Sequence, residues 1–380
     1  MINIIAGGKD KEILMLEKAA TDFAKKQLAP EREANDAYPF GPFFDAVVQK
    51  AFDLDFFSIL LPEESNGMGM GVKAFATVLE SICQEDSSLG GILFTNAAAQ
   101  QVLLAAGDTA LLEKITAAEN LSDFLIAFPA FNNPKDVRNL ARAKQTGDGF
   151  RLSGTVEYVV LGGMAGHALI PAHLACEDDY TFFAVTLSDP GISVSEPVVS
   201  LGLHACPAVD MTFDNVAAQP VGEADRGSVY FGAMADLLHA AAAAMALGVM
   251  KGSFKEAFTF SQQRFQGGQE IIKWSELKRI VAEMAIAVQN AEMIAGMACH
   301  VADARIPGWE LCTRAAALQV QKSACDVTTD GIQVLGGVGY MKDYGQEKRF
   351  RDAKQIQALL GMAPMKKIRY IESMLKGCKT

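Results

Sequence analysis

The sequence predicts an α+β chain of three consecutive parts, helical, then β, then helical, and three observations carry this prediction. Apolar residues recur at helical spacing from Asp10 to about Leu112, short β-rich runs divided by turn clusters replace them from around Asp123, and long helical patterns return from Ser228. No strand–helix alternation of the kind that builds a parallel sheet is present, and no internal repeat. At ~100–200 residues per domain, 380 residues make two or three domains with cores of their own. The boundaries read as 1–120 for the helical N-terminal domain, 121–225 for the middle β-domain and 226–380 for the C-terminal helical domain.

The first domain is marked by Ile13, Leu16, Ala20 and Phe23 on one helix face, with breaks at Pro30 and the Pro39–Pro42 segment. Its loop Leu61-Pro62-Glu63-Glu64-Ser65-Asn66-Gly67-Met68-Gly69-Met70 has no following Lys-Ser/Thr pair, so its glycines read as backbone turns rather than a phosphate cradle. Glu85 and Asp86 before Ser87-Ser88 read as helix-start caps. In the middle domain the turn Thr146-Gly147-Asp148-Gly149 leads into a strand from Phe150 to Val160, then a second from Tyr180 to Leu187 closes on Ser188-Asp189-Pro190-Gly191. Ala240–Ala244 then supplies small residues for close helix packing. Together with its neighbours that helix is expected to expose more apolar surface than one domain hides, which predicts a homo-oligomer or a heteromer.

Composition excludes several classes. A net charge of -11, from 45 acidic against 34 basic residues, is unsuited to neutralising phosphates, so nucleic acid is not an expected partner. Half of the residues are hydrophobic, too many for a disordered chain. Cys83, Cys176, Cys206, Cys299, Cys312, Cys325 and Cys378 never reach C-x-x-C spacing, which points to a reducing compartment and to no metal ribbon. The apolar run Ala240–Met250 follows Asp236 and His239, ends at Lys251, and falls short of the ~20 residues of a membrane span. Lys9, Asp10, Lys11 and Glu12 come too early for a signal-peptide core, so a cytoplasmic location is expected.

Three stretches carry a more specific signal. They are the Leu61–Gly69 loop, the turn Thr146–Gly154, and the run Gln333-Val334-Leu335-Gly336-Gly337-Val338-Gly339-Tyr340 with Asp343-Tyr344 and Arg349-Phe350-Arg351-Asp352-Ala353, which follows a helix carrying Arg264. In this order the chain resembles the acyl-CoA dehydrogenase family over essentially its full length. The resemblance implies a helical N-terminal domain, a middle β-barrel-like domain and a C-terminal four-helix bundle, assembled as a dimer of dimers around FAD. It implies an acyl-CoA thioester as substrate, whose α-proton goes to a carboxylate while the β-hydride goes to the flavin, and an electron-transferring flavoprotein as acceptor. A weakly acidic α-proton needs a base against it and the flavin on its other side.

Against that pattern the chain departs at the chemistry. The family's Tyr-Glu-Gly-Thr run is Leu359-Leu360-Gly361-Met362, so Leu360 stands where the base is expected, and the alternative Glu-Arg pair falls on Leu238-His239. His239 and Asp236 remain as candidate bases, a histidine on an Ala-rich helix also reading as a packed residue and Asp236 as a solvated acid near the helix start. The flavin-facing run that follows Phe128 reads Pro129-Ala130-Phe131-Asn132-Asn133-Pro134-Lys135-Asp136, and Pro129 removes both a hydroxyl and an N–H. The family's Trp-Ile-Thr is Tyr158-Val159-Val160, and its Thr-x-Glu near the chain end is Met362-Ala363-Pro364. Arg264, Gln333, Gly336 and Gly337 match the cross-subunit half of the FAD site, although the family's Phe after that arginine is Gly267, and Gly336-Gly337 read equally well as a tight inter-helix turn. Thr95, Asn96 and Lys135 match positions bordering the substrate pocket, while Asp326, Asp330 and Asp343 read as surface or cap residues.

Three functions follow from this reading. One is an FAD oxidoreductase performing α,β-desaturation or a related oxidation of an acyl-CoA, with its base in another position or not needed because the leaving proton is already acidic. A second is a non-catalytic subunit of a heteromeric enzyme, lending Arg264, Gln333, Gly336 and Gly337 to the FAD of an intact partner. The third is a base-independent acyl-CoA lyase.

Overall fold

The computed structural model describes residues 11–38, 44–147, 149–174 and 178–377. The break at Pro39–Pro42, Asp148 of the middle-domain turn, Lys9, Asp10, Cys176 and Cys378 lie outside these residues.

Among the described residues, seven α-helices open the fold: α1 (Lys11–Phe23), α2 (Arg32–Asn35), α3 (Gln49–Phe52), α4 (Val72–Cys83), α5 (Ser87–Ala106), α6 (Thr109–Thr116) and α7 (Leu121–Phe124). Helix α1 sinks Ile13, Ala20 and Phe23 into the core, as their spacing predicts. The 61–70 loop spends its N–H groups on itself, Met68, Gly69 and Met70 donating to the carbonyls of Ser58, Leu61 and Ile59, which is the turn role the sequence indicates. At the start of α5 the Asp86 carboxylate accepts from Ser88 N at 2.8 Å and caps the helix. Glu85 does something else: it meets Arg32 Nη2 at 2.5 Å and ties α2 to this corner.

The middle domain holds β1 (Ile126–Ala127), β2 (Ala141–Thr146), β3 (Gly149–Val160), β4 (His167–His173), β5 (Thr181–Thr186), β6 (Ile192–Val194) and β7 (Ala208–Val221). Strand pairing runs β4-β2-β3-β7-β5 and β5 returns to β4, so the sheet closes on itself and leaves no bare edge within that ring. Strand β1 continues the β4 pairing past β2, and β6 lies along β7. Inside it Tyr180 meets Phe182 edge to face, with centroids 5.3 Å apart, and Phe182 packs on Phe128 at a tilt, 5.9 Å apart.

Three long helices, α8 (Gly227–Gln263), α9 (Ser275–Asp303) and α10 (Trp309–Leu335), form the C-terminal domain, with the hairpin β8 (Phe265–Gln266) and β9 (Gln269–Glu270) between the first two. The shorter α11 (Gln346–Ile356) and α12 (Ala363–Gly377) complete it. Ala240–Ala244 lies wholly inside, against α10, α4 and α9. The apolar exposure expected of that segment is therefore found elsewhere, as Ile286, Met293 and Met297 on α9 and as Phe265, Trp274 and Tyr340 near the hairpin. Three helices, α5, α8 and α9, are long and apolar enough to cross a membrane by length and composition, which corrects the expectation drawn from the Ala240–Met250 run alone; α5 and α8 bury 78% and 83% of the relevant window within the protein.

Buried charge joins the domains. Lys251 Nζ on α8 stands 2.6 Å from both Glu80 Oε1 on α4 and Glu292 Oε1 on α9. Lys348 bridges Asp86 at 3.1 Å and Asp352 at 2.7 Å, and Asp352 also accepts from Leu203 N at 2.8 Å. Arg351 Nη2 meets Asp36 at 2.6 Å, and His204 Nδ1 reaches the same carboxylate at 3.0 Å. The Arg351-Asp352 pair of the diagnostic run thus clasps the N-terminal domain, the barrel and the C-terminal domain together.

This clasp has a defined pH response. Burial acts to raise the Asp36 carboxyl, but hydrogen bonds from His204 and Arg351 and the charge of Lys348 outweigh it and hold the group well below the usual carboxylate range. Its hydrogen bond to Asp36 pushes His204 up against the opposing effect of burial. The lowered acid contributes stability above its unfolded value near ~3.9 and loses it as pH falls through the folded one. The raised histidine contributes below ~6.5 and loses it as pH rises through its folded value. Asp36→Asn is expected to cost roughly 1.5–3 kcal/mol and to flatten both limbs. Thermal midpoints from acid to mildly alkaline pH test this; a variant profile parallel to the wild type would refute the coupling.

Candidate functional site

Two cavities collect the residues singled out by sequence. The inner one, about 400 Å³, lies where the barrel meets the C-terminal domain and is bordered by Lys135, Tyr180, His239, Arg314, Leu360, Lys366 and Arg369. The outer one, about 610 Å³, is bordered by Arg264, Gln333, Gly336 and Gly337. One of the four residues matched to the flavin face, Pro129, borders an open groove of about 950 Å³ over the barrel, whose walls carry Arg138, Arg142, Glu157 and Asp179.

At the inner cavity the base position is a strained turn without a base. Leu360 has φ +61°, followed by Gly361 at +111°, a left-handed pair that a leucine enters at a cost. Its N–H donates to Ala130 O at 2.8 Å, which joins this turn directly to the 128–131 segment. Lys366 Nζ holds the turn from beneath through Gln357 O at 2.8 Å, Leu359 O at 2.9 Å and Gln321 Oε1 at 3.2 Å. Burial pushes Lys366 down to about 7, but these three acceptors take up the three hydrogens of an ammonium.

The remaining candidate bases fare no better. Burial, with the charges of Lys366 and Arg314 behind it, pushes His239 down to about 3, far from a value at which a general base works at neutral pH. Asp236 is not solvated; it sits in the third turn of the 37-residue α8 and pairs with Arg314 Nε at 2.6 Å. Leu238 is fully buried in the helix core. Thr95 and Asn96 are also fully buried and border neither cavity; Asn96 Oδ1 accepts from Ile126 N at 2.9 Å and anchors β1 instead of shaping a pocket.

At the positions expected to meet the ring, the backbone N–H groups of the flavin-facing strip are already taken. Phe128 N donates to Val160 O at 3.0 Å and Val160 N to Phe128 O at 3.1 Å, and both side chains are fully buried. Pro129 has no N–H. Tyr158 N donates to Asp210 Oδ1 at 2.9 Å, its hydroxyl accepts from Gln355 Nε2 at 2.9 Å, and the Phe131 ring stands edge-on at 5.4 Å. Beyond the 360 turn, Met362 is exposed and α12 begins at Ala363. An isoalloxazine needs a flat gap and donors for its pyrimidine edge. With Leu360 bonded to Ala130, these backbone N–H groups spent and Pro129 in place of a hydroxyl, the Tyr158 hydroxyl alone keeps a hydrogen to give, and the residues of this strip do not fit that ring.

The outer cavity is different. The hairpin before α9 turns through Gly267 and Gly268, φ +66° and +89°, a two-residue loop that requires positive φ at both positions. That explains why Gly267 stands where the family has Phe, and it leaves Arg264, at the end of α8, exposed beside the cleft. Across it, Gly336 has φ +64° and is a glycine because the helix exit demands one. Gly337 is not at positive φ, and a Cβ there would meet nothing within 4 Å. Neither its own turn nor its neighbours require glycine, and it borders the cleft beside Arg264.

Sequence reasoning brought Arg264, Gln333, Gly336 and Gly337 to one place, and Lys135, His239 and Leu360 to another. It missed Tyr180, Arg314, Lys366 and Arg369, which reach the inner cavity from the segment before β5, from α10 and, the last two, from α12, with no local motif to mark them.

Comparison with known proteins agrees with this architecture. Residues 10–118 match the model of the acyl-CoA dehydrogenase N-terminal domain and residues 226–373 that of the acyl-CoA dehydrogenase C-terminal domain. The chain is 27% identical over 365 residues to cyclohex-1-ene-1-carbonyl-CoA dehydrogenase of Syntrophus aciditrophicus, covering 92% of this chain and 87% of the relative. In fold it is similar to butyryl-CoA dehydrogenase from Megasphaera elsdenii, with a TM-score of 0.88, 21% identity and coverage of 97% and 99%. A chain from a structure of the electron transferring flavoprotein of Acidaminococcus fermentans gives a TM-score of 0.89 at 23% identity, with the same coverage.

Proposed function

Since the chain belongs to the acyl-CoA dehydrogenase family and is an acyl-CoA dehydrogenase-like oxidoreductase in class, we propose that it works as a non-catalytic subunit of a heteromeric member of that family, lending residues to the FAD of its partner. The observation that carries this reading is the contrast between its two half-sites. The inner half has no base and no free backbone donor for a flavin ring, whereas the outer half keeps Arg264 and an unrequired glycine at 337. A homologous partner would carry the carboxylate and the flavin-facing hydroxyls, perform the α,β-desaturation of an acyl-CoA and pass electrons to an electron-transferring flavoprotein. This chain would close the dinucleotide end of the partner's FAD with Arg264, Gln333, Gly336 and Gly337. When bound in the partner, FAD supplies the hydride acceptor.

The alternative, desaturation by this chain alone, requires a base from His239 or Asp236, and neither is free to act as one. The visible spectrum of the protein purified alone and after co-expression with a base-bearing homologue separates the two. Expected are a colourless chain alone and a yellow heteromer. Stoichiometric flavin in the isolated chain, bleached by an acyl-CoA, would overturn the proposal.

A further inference from the structure

We propose that the inner cavity is a binding site for a small carboxylate with an apolar body, seated beside Leu360 without undergoing chemistry there. The proposal does not depend on the chain lending its outer cleft to a partner.

Buried groups without hydrogen-bond partners converge on this space. The Tyr180 hydroxyl has none, although Tyr180 is only 1% exposed. Arg369 Nη1 has none, its Nη2 being engaged by Asp136 Oδ1. An orphaned buried polar group costs about 1–3 kcal/mol, and two around one cavity imply an occupant that satisfies them. Tyr180 is held protonated by burial, so it and Arg369 both offer hydrogens, and the occupant must be an acceptor.

Charge points the same way. Lys135 is matched by Asp179, Arg314 by Asp236 and Arg369 by Asp136, whose second oxygen is also without a partner. Lys366 has only neutral acceptors, and Glu372 lies exposed on the rim. The enclosed set therefore carries one unmatched positive charge. A carboxylate at position 360 would cancel it and repel an anion; leucine does neither. Phe231, Ala235, Leu318 and Leu360 supply an apolar wall, and about 400 Å³ admits a ring or a short chain but not a whole coenzyme.

The test uses the full chain and isothermal titration with benzoate, its neutral isostere benzamide, inorganic phosphate and succinyl-CoA. Saturable binding of benzoate at least tenfold tighter than of benzamide is expected. Tyr180→Phe should weaken benzoate about tenfold, because it removes one hydrogen bond and keeps the ring. Leu360→Glu should weaken benzoate by more than that and leave benzamide unchanged, while Leu360→Gln, equal in size and uncharged, keeps benzoate binding. Succinyl-CoA is expected to bind less tightly than benzoate, since the cavity does not admit a coenzyme; tighter binding of the thioester would overturn the assignment to a small free acid. Equal affinity for benzoate and benzamide, no saturation up to roughly 10 mM, binding of phosphate alone, or indifference to Leu360→Glu would each overturn it.

Discussion

Lys251→Met is expected to cost about 3–5 kcal/mol and to loosen the N-terminal domain from the bundle. The ammonium stands between two carboxylates, each 1% exposed, and is the hydrogen-bond donor to both. Its removal leaves Glu80 and Glu292 facing each other without water, and Glu80 Oε2 already lacks a partner. Burial pushes Glu80 up to about 7, although Lys251 opposes the shift. Because the folded value lies above the unfolded one, the native state holds the extra proton, and stability falls as pH rises from about 4.5 to about 7. In Lys251→Met that fall should steepen, since the charge that opposes the upward shift of Glu80 is gone. Urea unfolding at pH 6 and pH 8 measures it. Replacing all three residues by methionine should recover most of the loss, as apolar packing replaces an ion triad at little net cost. A single variant within about 1 kcal/mol of wild type at both pH values would show that the triad does not hold the domains together.

Arg264→Ala is expected to lower FAD retention by the heteromer about 10- to 100-fold without touching a residue that faces the flavin ring. A charge-assisted hydrogen bond to a phosphate oxygen contributes roughly 1.5–3 kcal/mol, and arginine supplies it in a geometry that lysine lacks. Gly337→Val should act alongside it for another reason: nothing within the chain obstructs the new side chain, so the fold keeps its thermal midpoint while the cleft is filled. Flavin released on dilution, followed by fluorescence, reads both variants. Unchanged retention in both would remove the outer cleft from the dinucleotide site and with it the heteromer reading.

Much of the fold was legible because its signals are local. The Ile13, Ala20 and Phe23 spacing, the Phe150–Val160 run and the glycine-rich turn at 336 each mark their element within a dozen residues. The missing base at Leu360 and the donor lost at Pro129 were legible for the same reason. What joins distant segments was not. Lys251 read as the polar end of an apolar run, yet the fold draws it between acids 171 residues before it and 41 after it. The bond between Tyr158 and Gln355 spans 197 residues, and the Arg369–Asp136 pair spans 233. No periodicity records such meetings, since the barrel and the bundle must both form before the side chains share a space. The Ala240–Ala244 helix was misread as partly exposed because its all-round apolarity suits a helix surrounded by its own chain equally well.

The Leu360–Ala130 and Tyr158–Gln355 bonds also bear on how the protein is made. In a protein whose folded state alone binds a cofactor, stability rises and falls with that cofactor's concentration. Here polypeptide itself closes the seam between the barrel and the C-terminal domain, so that closure does not wait on a ligand, and the thermal midpoint of the isolated chain is expected to stay unchanged when FAD is added.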